Sequence, residues 1–416
     1  MDNTNSIAKV VLCTTVSFFV ILFLGAAGAL SVANHNKVVK GVTYIGRDIS
    51  GLTKSEVQDF FAGESKKKLD KMTIIMQYGN NSWTIKKDEI GLATNAEDAA
   101  NVAYSIGRDG TVLQNFLNQV RLLMKKTEVS LEGKYDEERL QAKLIKVKSA
   151  VDREPVNATA TLHSNGMITT TEGVVGKKLD IEPIMEELDS KLTKLEALEI
   201  IILQPKETEP YVKTSDIAAI DSVLASYTTT FYAGDRGDNI ILASSKLNDI
   251  LLRNGETFSF NTTVGSRTKA AGYKDAPVIV EGKILEDVGG GVCQVSSTLY
   301  NAVLLAGLTP TVRAPHFYPS AYCPPGLDAT VADDVVDFKF KNPLPHPIYL
   351  VSSAYGGYLT IYILGTKSDL GGKSITLEQS GSRLTPTIHR VYTQNGVVVN
   401  REFMHTDYYD NPANAN

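Results

Sequence analysis

Residues 289–301 read GGGVCQVSSTLYN, and this stretch decides how the C-terminal half of the chain folds. Three consecutive glycines give a backbone that can adopt positive φ and approach a ligand closely. From Gln294 to Ala306 the apolar residues recur at the i, i+4, i+7, i+8 and i+11 spacing of an amphipathic helix. Gly307 suits the position that follows a helix end. The pattern therefore predicts a glycine loop and then a helix, with Cys293 at the first helical turn.

Cys293 is a candidate nucleophile because of this position. Unpaired N–H groups and the positive end of the helix dipole favour a thiolate at a helix start. The same N–H groups can hold an oxyanion. The residues expected to form this loop and anion site are Gly289, Gly290, Gly291 and Gln294. The alternative is a small, buried, apolar cysteine packed under a tight turn.

A nucleophilic cysteine needs a general base, and the C-terminal region offers four histidines. His316 lies 23 residues after Cys293, between two prolines, on a segment that can return to the start of the helix. Asp328 follows the next turn and can either orient His316 or cap a helix. His346, which two prolines flank, is expected only to shape a turn. The two later histidines are expected on the surface or in the core.

Four further side chains are expected to bind a substrate. Arg267 and Arg313 can hold a carboxylate with the planar guanidinium fork, and Ser296 and Tyr322 complete the predicted set. For each arginine, a structural salt bridge is the competing interpretation.

Cys323 leaves three alternatives open. It can be a free thiol in a turn, a disulfide partner of Cys293 in an oxidising compartment, or a zinc ligand together with Cys293 and His316. No CxxC or HxxxH spacing accompanies it, so the zinc signal is weak. The sequence therefore predicts neither a metal ion nor an organic cofactor.

The composition sets the broad class of the protein. The chain has 416 residues, which suggests two or three domains. Hydrophobic residues make up 43% and charged residues 21%, a globular balance that excludes a disordered, collagenous or multi-span membrane protein. The net charge of -5 argues against nucleic acid as the main partner. Three cysteines are too few for a disulfide-stapled scaffold.

Residues 10–32 carry no charge and are long enough to cross a bilayer as a helix. A retained signal anchor and a cleaved signal peptide, with an A-x-A site at 27–29, are the two interpretations. The length of the run favours the anchor. Lys37, Lys40 and Arg47 follow the run and oppose export by the positive-inside rule, whereas the short preceding tail favours export. We therefore expect a single-pass cell-membrane protein with extracellular C-terminal domains.

The region from about residue 40 to 210 alternates short strands and helices. Residues 41–53 predict a strand or hairpin and 54–69 predict a helix, and further hairpins are indicated around glycine turns. A helical pattern at 181–195 comes near the end of the region, and a polar, proline-terminated segment at 207–210 marks a boundary. The region therefore predicts an α+β module, and it offers no convincing catalytic set.

Several strings within residues 226–365 resemble the VanW-like family of Gram-positive bacteria. The matching segments are 258–261, 264–268, 272–273, 289–301, 313–316, 326–330 and 337–342. Upstream, the strings ISGLT, SWTIKKDEIGL, GRDG and TTTEGVVGKKLD resemble a peptidoglycan-binding module over most of residues 45–200. Cys323 departs from the family pattern, but the glycine string favours Cys293 as the thiol that matters.

Together with the resemblance, the sequence predicts an α+β protein in four parts. Residues 1–34 would be a cytoplasmic tail and transmembrane signal anchor, and 35–210 a peptidoglycan-binding module with its linker. Residues 211–366 would be a β-rich α+β VanW-like catalytic domain, and 367–416 a β-rich C-terminal extension.

Family members with this architecture resemble a separate class of L,D-transpeptidase. The resemblance implies that Cys293 attacks the carbonyl of the third residue of a tetrapeptide stem, that D-Ala leaves, and that an amine of a second stem completes a 3→3 crosslink. His316 would transfer protons, and no cofactor is implied. The expected partners are peptidoglycan stem peptides and the membrane. A non-catalytic peptidoglycan-binding or glycopeptide-resistance accessory protein is the alternative, and a cysteine peptidase is a third interpretation.

Overall fold

The computed structural model describes residues 2–280 and 283–411, with the backbone alone at 2–8, 279–280 and 283–284. The helices are α1 (Asp2–Ala33), α2 (Lys54–Leu69), α3 (Ala96–Ser105), α4 (Val112–Met124), α5 (Glu137–Val151), α6 (Glu182–Lys194), α7 (Thr214–Ile217), α8 (Asp235–Ser245), α9 (Phe260–Val264) and α10 (Val292–Leu305).

The strands in the first half of the chain are β1 (Val42–Tyr44), β2 (Arg47–Asp48), β3 (Thr73–Tyr78), β4 (Asn81–Lys86), β5 (Ala93–Thr94), β6 (Thr127–Glu128), β7 (Gly133–Lys134), β8 (Thr159–Leu162), β9 (Ile168–Thr171), β10 (Gly176–Lys178), β11 (Ile201–Ile202) and β12 (Lys206–Thr208). Those in the second half are β13 (Ser222–Thr230), β14 (Ile250–Leu252), β15 (Thr257–Ser259), β16 (Asp275–Val280), β17 (Lys283–Val288), β18 (Thr309–Val312), β19 (Lys339–Lys341), β20 (Ile348–Tyr355), β21 (Tyr358–Gly365), β22 (Lys373–Gly381), β23 (Pro386–Gln394) and β24 (Val397–Thr406). The α+β class predicted from the sequence is confirmed.

Backbone contacts divide the chain into two compact units. The first unit comprises Met1–Glu154 and Lys177–Glu207, and the second comprises Pro155–Gly176 and Thr208–Asn416. The hairpin of β8 and β9 therefore belongs with the second unit. The four-part division expected from the sequence stays a prediction, and residues 412–416 of its C-terminal extension lie outside the described residues.

Helix α1 contains a segment suited to a membrane. Within the described part of the chain, Lys9–Ala33 is the one stretch of helix long and apolar enough to span a bilayer, with a mean hydropathy of 2.5. A signal sequence near the N-terminus has the same properties. The retained anchor and the cleaved signal peptide therefore stay open as two interpretations.

The rest of the first unit is built from short sheets covered by helices. The sheets have the strand orders β2-β1-β6, β11-β3-β4 and β5-β7. Helix α2 begins at a capping box, in which the backbone N–H of Thr53 donates to the carboxylate of Glu56 at 2.8 Å. Val57 and Phe61 of this helix are fully buried in the core that also takes in α5 and α6. The predicted helix over 54–69 has these bounds in the structure, whereas α4 and α5 were not predicted.

The second unit packs a central helix against an antiparallel sheet. Strands β13, β21, β20 and β14 form this sheet in that order, and α10 lies against β13 and β21. The amphipathic character predicted for this helix is wrong, because α10 is buried almost all round. Its polar side chains Ser296, Ser297, Thr298 and Asn301 are fully buried, and each donates to a backbone carbonyl. Satisfied hydrogen bonds let a helix with polar residues occupy the core.

The apolar spacing over residues 239–253 predicts a single helix from the sequence, and the structure differs from that prediction. Helix α8 begins earlier, at Asp235, and ends at Ser245, while Ile250–Leu252 form strand β14 and pair antiparallel with β20. The apolar run continues through both elements, so spacing alone did not separate them. A further three-stranded sheet, β22-β23-β24, follows the VanW-like motifs.

Candidate active site

The glycine loop has the conformation that its sequence demands. Gly289 has φ 86° and Gly291 has φ 105°, a region that residues with side chains rarely adopt. A Cβ atom on Gly290 would lie 2.5 Å from the carbonyl oxygen of Ala276, so this position also needs glycine. Gly291 is the N-cap of α10, and Cys293 is therefore the second residue of the helix. The predicted place of this cysteine at a helix start matches the structure.

Asn239 holds the glycine loop, and the sequence did not single it out. Its side-chain amide donates to the carbonyls of Gly290 at 3.0 Å and Lys274 at 2.9 Å, and its Oδ1 accepts from the backbone N–H of Lys274 at 2.8 Å. The side chain is fully buried. An asparagine among the apolar positions of α8 was the available signal, since a buried amide must satisfy several hydrogen bonds.

His316 and Asp328 are joined by two hydrogen bonds. The backbone N–H of His316 donates to Oδ2 of Asp328 at 2.7 Å, and Nδ1 of the imidazole lies 2.6 Å from the same oxygen. The Asp328 side chain is fully buried. With Nδ1 bound to the carboxylate, Nε2 is the ring nitrogen left for another partner.

Cys293 and His316 are within hydrogen-bonding reach of each other. The two side chains shift each other's pKa through a hydrogen-bonding and a charge interaction. Cys293 Sγ also donates to the carbonyl of Val331 at 3.3 Å and accepts from the backbone N–H of Val331 at 3.5 Å. Cys293 is half-buried and packs against the core of the second unit. The structure thus brings Cys293, His316 and Asp328 into one continuous chain of contacts.

The electrostatics of this chain favour a thiolate–imidazolium pair. Burial raises the pKa of Cys293, but the hydrogen bond and charge of His316, the N–H of Val331 and the charge of Arg267 together bring it below the ordinary value of a thiol. For His316, burial lowers the pKa, but the bonds to Asp328 and Cys293 outweigh it and raise the pKa to about 9. Both shifts favour a proton on the imidazole over a proton on the sulfur.

Residues from the C-terminal strands support the carboxylate. Burial raises the pKa of Asp328, but hydrogen bonds and charges from His316 and Arg313, with a bond from Tyr409, lower it to about 2. Tyr409 Oη donates to Asp328 Oδ1, and Asp407 Oδ1 lies 2.6 Å from a guanidinium nitrogen of Arg313. Both residues follow β24, some 80 positions after Asp328, so no local motif pointed to them.

The two arginines expected to bind substrate are engaged by protein groups. Arg313 contacts Asp328 at 2.9 Å and Asp407 at 2.6 Å, and its side chain is 8% exposed. Arg267 contacts Asp333 at 2.5 Å and donates to Asn261 at 2.9 Å, with a side-chain exposure of 7%. Both arginines therefore form structural salt bridges, which was the competing interpretation from the sequence.

The other predicted site residues divide into two groups. Ser296 and Gln294 point into the protein: Ser296 Oγ donates to the carbonyl of Ala329 at 2.6 Å, and the Gln294 amide donates to the carbonyl of Thr230 at 2.8 Å. These placements differ from the substrate and anion-binding positions expected from the sequence, because α10 is buried on that side. Tyr322 does reach the site, with Oη 3.4 Å from Nε2 of His316.

Two backbone N–H groups at the start of α10 have no hydrogen-bond acceptor within the described residues. Gln294 N–H donates to the carbonyl of Gly291 at 3.0 Å, and Val292 N–H donates to that of Gly289 at 3.2 Å. For the N–H groups of Gly291 and Cys293, we find no acceptor among the residues that the structure describes. Free N–H groups at a helix start can stabilise an oxyanion.

Cys323 differs from Cys293 in its burial and in the direction of its pKa shift. Both are free thiols in the structure, but Cys323 is buried and contacts Ser320 Oγ at 3.1 Å. Burial raises the pKa of Cys323 to about 12. His346, which two prolines flank, contacts Asp369, with Nδ1 2.8 Å from Oδ1. Among the described residues, no three His, Cys, Asp or Glu side chains are arranged to hold a metal ion.

Comparisons with known proteins agree with this architecture. Residues 235–364 match the family described as "VanW like protein", and residues 83–200 match the family described as "Putative peptidoglycan binding domain". "Uncharacterized protein YoaR" of Bacillus subtilis is 40% identical over 219 residues, which cover 51% of this chain and 69% of that protein. "Vancomycin B-type resistance protein VanW" of Enterococcus faecalis is 32% identical over 145 residues, covering 33% of this chain and 51% of that protein. No solved structure matches the chain.

The chain belongs to the VanW-like family, with a peptidoglycan-binding domain before the VanW-like domain. The resemblance identified from the sequence motifs is thereby confirmed. The match at 235–364 contains Cys293, His316 and Asp328, whereas Asp407 and Tyr409 lie beyond it. The N-terminal apolar helix and the wall-binding domain are consistent with a membrane-anchored extracellular protein.

Proposed function

We propose that the protein is a membrane-anchored L,D-transpeptidase, a cysteine acyltransferase that forms 3→3 crosslinks in peptidoglycan. One observation carries the proposal: the chain of contacts from Cys293 through His316 to Asp328 at the start of a helix. Acyl transfer by a cysteine requires a thiolate, a group that carries a proton and a group that orients it. These three side chains supply those roles.

In the first half-reaction, the Cys293 thiolate attacks the carbonyl carbon of the third residue of a stem tetrapeptide. A C–S bond forms, and the carbonyl oxygen becomes an oxyanion that the free N–H groups of Gly291 and Cys293 are suited to stabilise. The peptide C–N bond then breaks. The His316 imidazolium gives its proton to the departing amine of D-Ala, which leaves a thioester and a neutral imidazole.

In the second half-reaction, the amino group of a diamino acid on another stem attacks the thioester carbon. Neutral His316 accepts the proton of this amine, the C–S bond breaks, and Cys293 returns as a thiolate beside an imidazolium. Asp328 holds the imidazole through Nδ1 in both steps and favours its charged form. If water takes the place of the amine, the same chemistry becomes hydrolysis, which is the peptidase interpretation.

The comparisons support the cell wall as the setting of this chemistry. The match at 83–200 is to a peptidoglycan-binding family, and one relative carries the name of a vancomycin-resistance protein. These two observations also favour the second candidate, a non-catalytic wall-binding or resistance accessory protein. The two candidates differ in whether the thiol must react.

The deciding experiment incubates the full-length protein in detergent micelles with defined disaccharide-tetrapeptides and analyses the products by mass spectrometry. We expect 3→3 crosslinked dimers and free D-Ala from the wild type and neither product from Cys293→Ala. Unchanged substrates with a folded wild-type protein, together with measurable binding of the muropeptide, would support the accessory protein instead.

A further inference from the structure

Arg236, an arginine near the Cys293 sulfur, has no hydrogen-bonding or ion-pair partner among the residues that the structure describes. Arg236 lies in the first turn of α8, and its stem contacts the glycine loop, because a Cβ atom on Gly291 would lie 3.0 Å from Arg236 Cγ. The side chain is half-buried. Among the residues that the structure describes, we find no carboxylate or carbonyl that hydrogen-bonds with its guanidinium, in contrast to Arg267 and Arg313.

The acidic residues on the same helix do not neutralise Arg236. Asp235 and Asp238 both bind the ammonium of Lys274, at 2.9 Å and 2.7 Å. Burial lowers the pKa of Arg236, against the opposing fields of Tyr322 and Cys293, and its ordinary value is high enough that the group stays charged. A half-buried guanidinium that no carboxylate of the described residues pairs with is costly to keep charged, and the charge of Cys293 offsets only part of that cost, so the site suits an anion from outside the chain.

A carboxylate is the anion whose shape fits. A guanidinium presents parallel N–H donors that match the two oxygens of a carboxylate, and such bidentate pairs are strong and directional. In a peptide that ends one residue after the attacked carbonyl, the terminal carboxylate carbon is only three bonds, and less than about 4 Å, from the carbonyl carbon. A group beside the glycine loop that presents Cys293 is therefore well placed to meet that carboxylate.

We infer that Arg236 binds the terminal carboxylate of the acyl-donor peptide, on the residue that leaves when Cys293 attacks. The inference rests on the proposed function and names its donor: a peptide with one free residue after the bond to be broken. A peptide that continues, or that ends in an amide, would leave the guanidinium unpaired and bind poorly. Arg236 would then restrict cleavage to the last peptide bond of a tetrapeptide stem and exclude peptide bonds inside a longer chain.

The test measures binding separately from turnover. Full-length Cys293→Ala is titrated with a stem tetrapeptide ending in D-Ala and with the same peptide ending in D-alaninamide. We expect the acid to bind about 10-fold or more tighter than the amide. Adding Arg236→Gln should abolish the difference, and Arg236→Lys should restore part of it. Lys246→Gln, which removes one exposed charge at the other end of α8, should leave the difference intact.

Equal binding of acid and amide, absence of binding by both, or a difference that survives Arg236→Gln would overturn the inference. Turnover is measured as a second test, in proteins that keep Cys293. The wild type should release the terminal residue from the acid faster than from the amide. In Arg236→Gln the two rates should become equal. A binding difference that depends on Arg236, in a protein that never forms a thioester, would refute the proposed function while keeping the carboxylate site.

Discussion

His316 contacts a single oxygen of Asp328 through two of its nitrogens, its backbone N at 2.7 Å and Nδ1 at 2.6 Å. The other oxygen, Oδ1, accepts from Arg313 at 2.9 Å and from Tyr409. One oxygen thus fixes the position and orientation of the imidazole, while the other is held by the surrounding protein. A carboxylate bound on both sides can keep a histidine in one tautomer with Nε2 directed to its partner.

Asp328→Asn should therefore uncouple the imidazole from its charge partner. We expect the His316 pKa to fall from about 9 toward or below the ordinary value of about 6.5, because burial would no longer be offset by the carboxylate. Thioester formation should slow by about 100-fold or more. An NMR titration of the imidazole nitrogens measures the pKa directly.

The matched control for this variant is Asp407→Asn. Asp407 binds Arg313 but is not among the groups that shift His316, so its neutralisation should leave the imidazole pKa near the wild-type value. Both variants remove one buried negative charge, and circular dichroism confirms that each is folded. An imidazole pKa that is the same in Asp328→Asn and the wild type would contradict the assignment.

Alkylation of Cys293 should show the thiolate at unusually low pH. Because the thiol pKa is lowered, iodoacetamide should modify Cys293 at neutral pH, and the rate should drop only as pH falls through that lowered pKa. His316→Gln removes the largest favourable contribution, so in this variant the reaction should start only at alkaline pH. Cys323, with a pKa of about 12 and a buried side chain, should stay unmodified across the range. Peptide mapping by mass spectrometry separates the thiols, and identical pH profiles for the wild type and His316→Gln would refute the ion pair.

Crosslinking should depend on Cys293 and not on Cys323. Cys293→Ala should abolish product, and Cys293→Ser should be nearly inactive because a hydroxyl is far harder to deprotonate in the same site. Cys323→Ala should keep most of the activity, since Cys323 precedes two prolines and no helix begins there. Activity in Cys293→Ala equal to that of the wild type would end the enzyme interpretation.

Gly290→Ala should lower the free energy of unfolding. The new Cβ atom would lie 2.5 Å from the carbonyl oxygen of Ala276 and 2.7 Å from that of Pro277, which is too close without backbone movement. We expect a loss of at least about 1–3 kcal/mol by thermal or chemical denaturation. Gly63→Ala is the matched control: it lies within α2 with nothing near its Cβ position, and it should gain about 0.5–1 kcal/mol. Equal effects of the two substitutions would mean that the loop is not packed as described.

The sequence predicted the parts of the site that local physics determines. A glycine loop before a helical pattern placed Cys293 at a helix start, and the proline-bounded segment after the helix placed His316 on the returning chain. The partners of the two arginines could not be predicted in this way. A guanidinium can pair with a substrate or with the protein, and only the fold shows that Arg313 and Arg267 are already paired with carboxylates.

Tyr409 and Asn239, which hold Asp328 and the glycine loop, could not be identified from the sequence because their partners are remote along the chain. Tyr409 reaches Asp328 from beyond the last strand, and Asn239 reaches Gly290 from another helix. Helix α10 was predicted as amphipathic because its serines, threonine and asparagine count as polar. In the fold these side chains donate to backbone carbonyls in the core, which no periodicity reveals.

The mass of the intact protein shows whether Cys293 carries an acyl group during the reaction. The wild-type protein is mixed with a stem tetrapeptide and quenched in acid, which preserves thioesters, and the modified residue is located by fragmentation. We expect an adduct with the mass of the tetrapeptide less D-Ala, located on Cys293, and released D-Ala in solution. A folded wild-type protein that binds the peptide but forms no adduct, or an adduct on a residue other than Cys293, would contradict it.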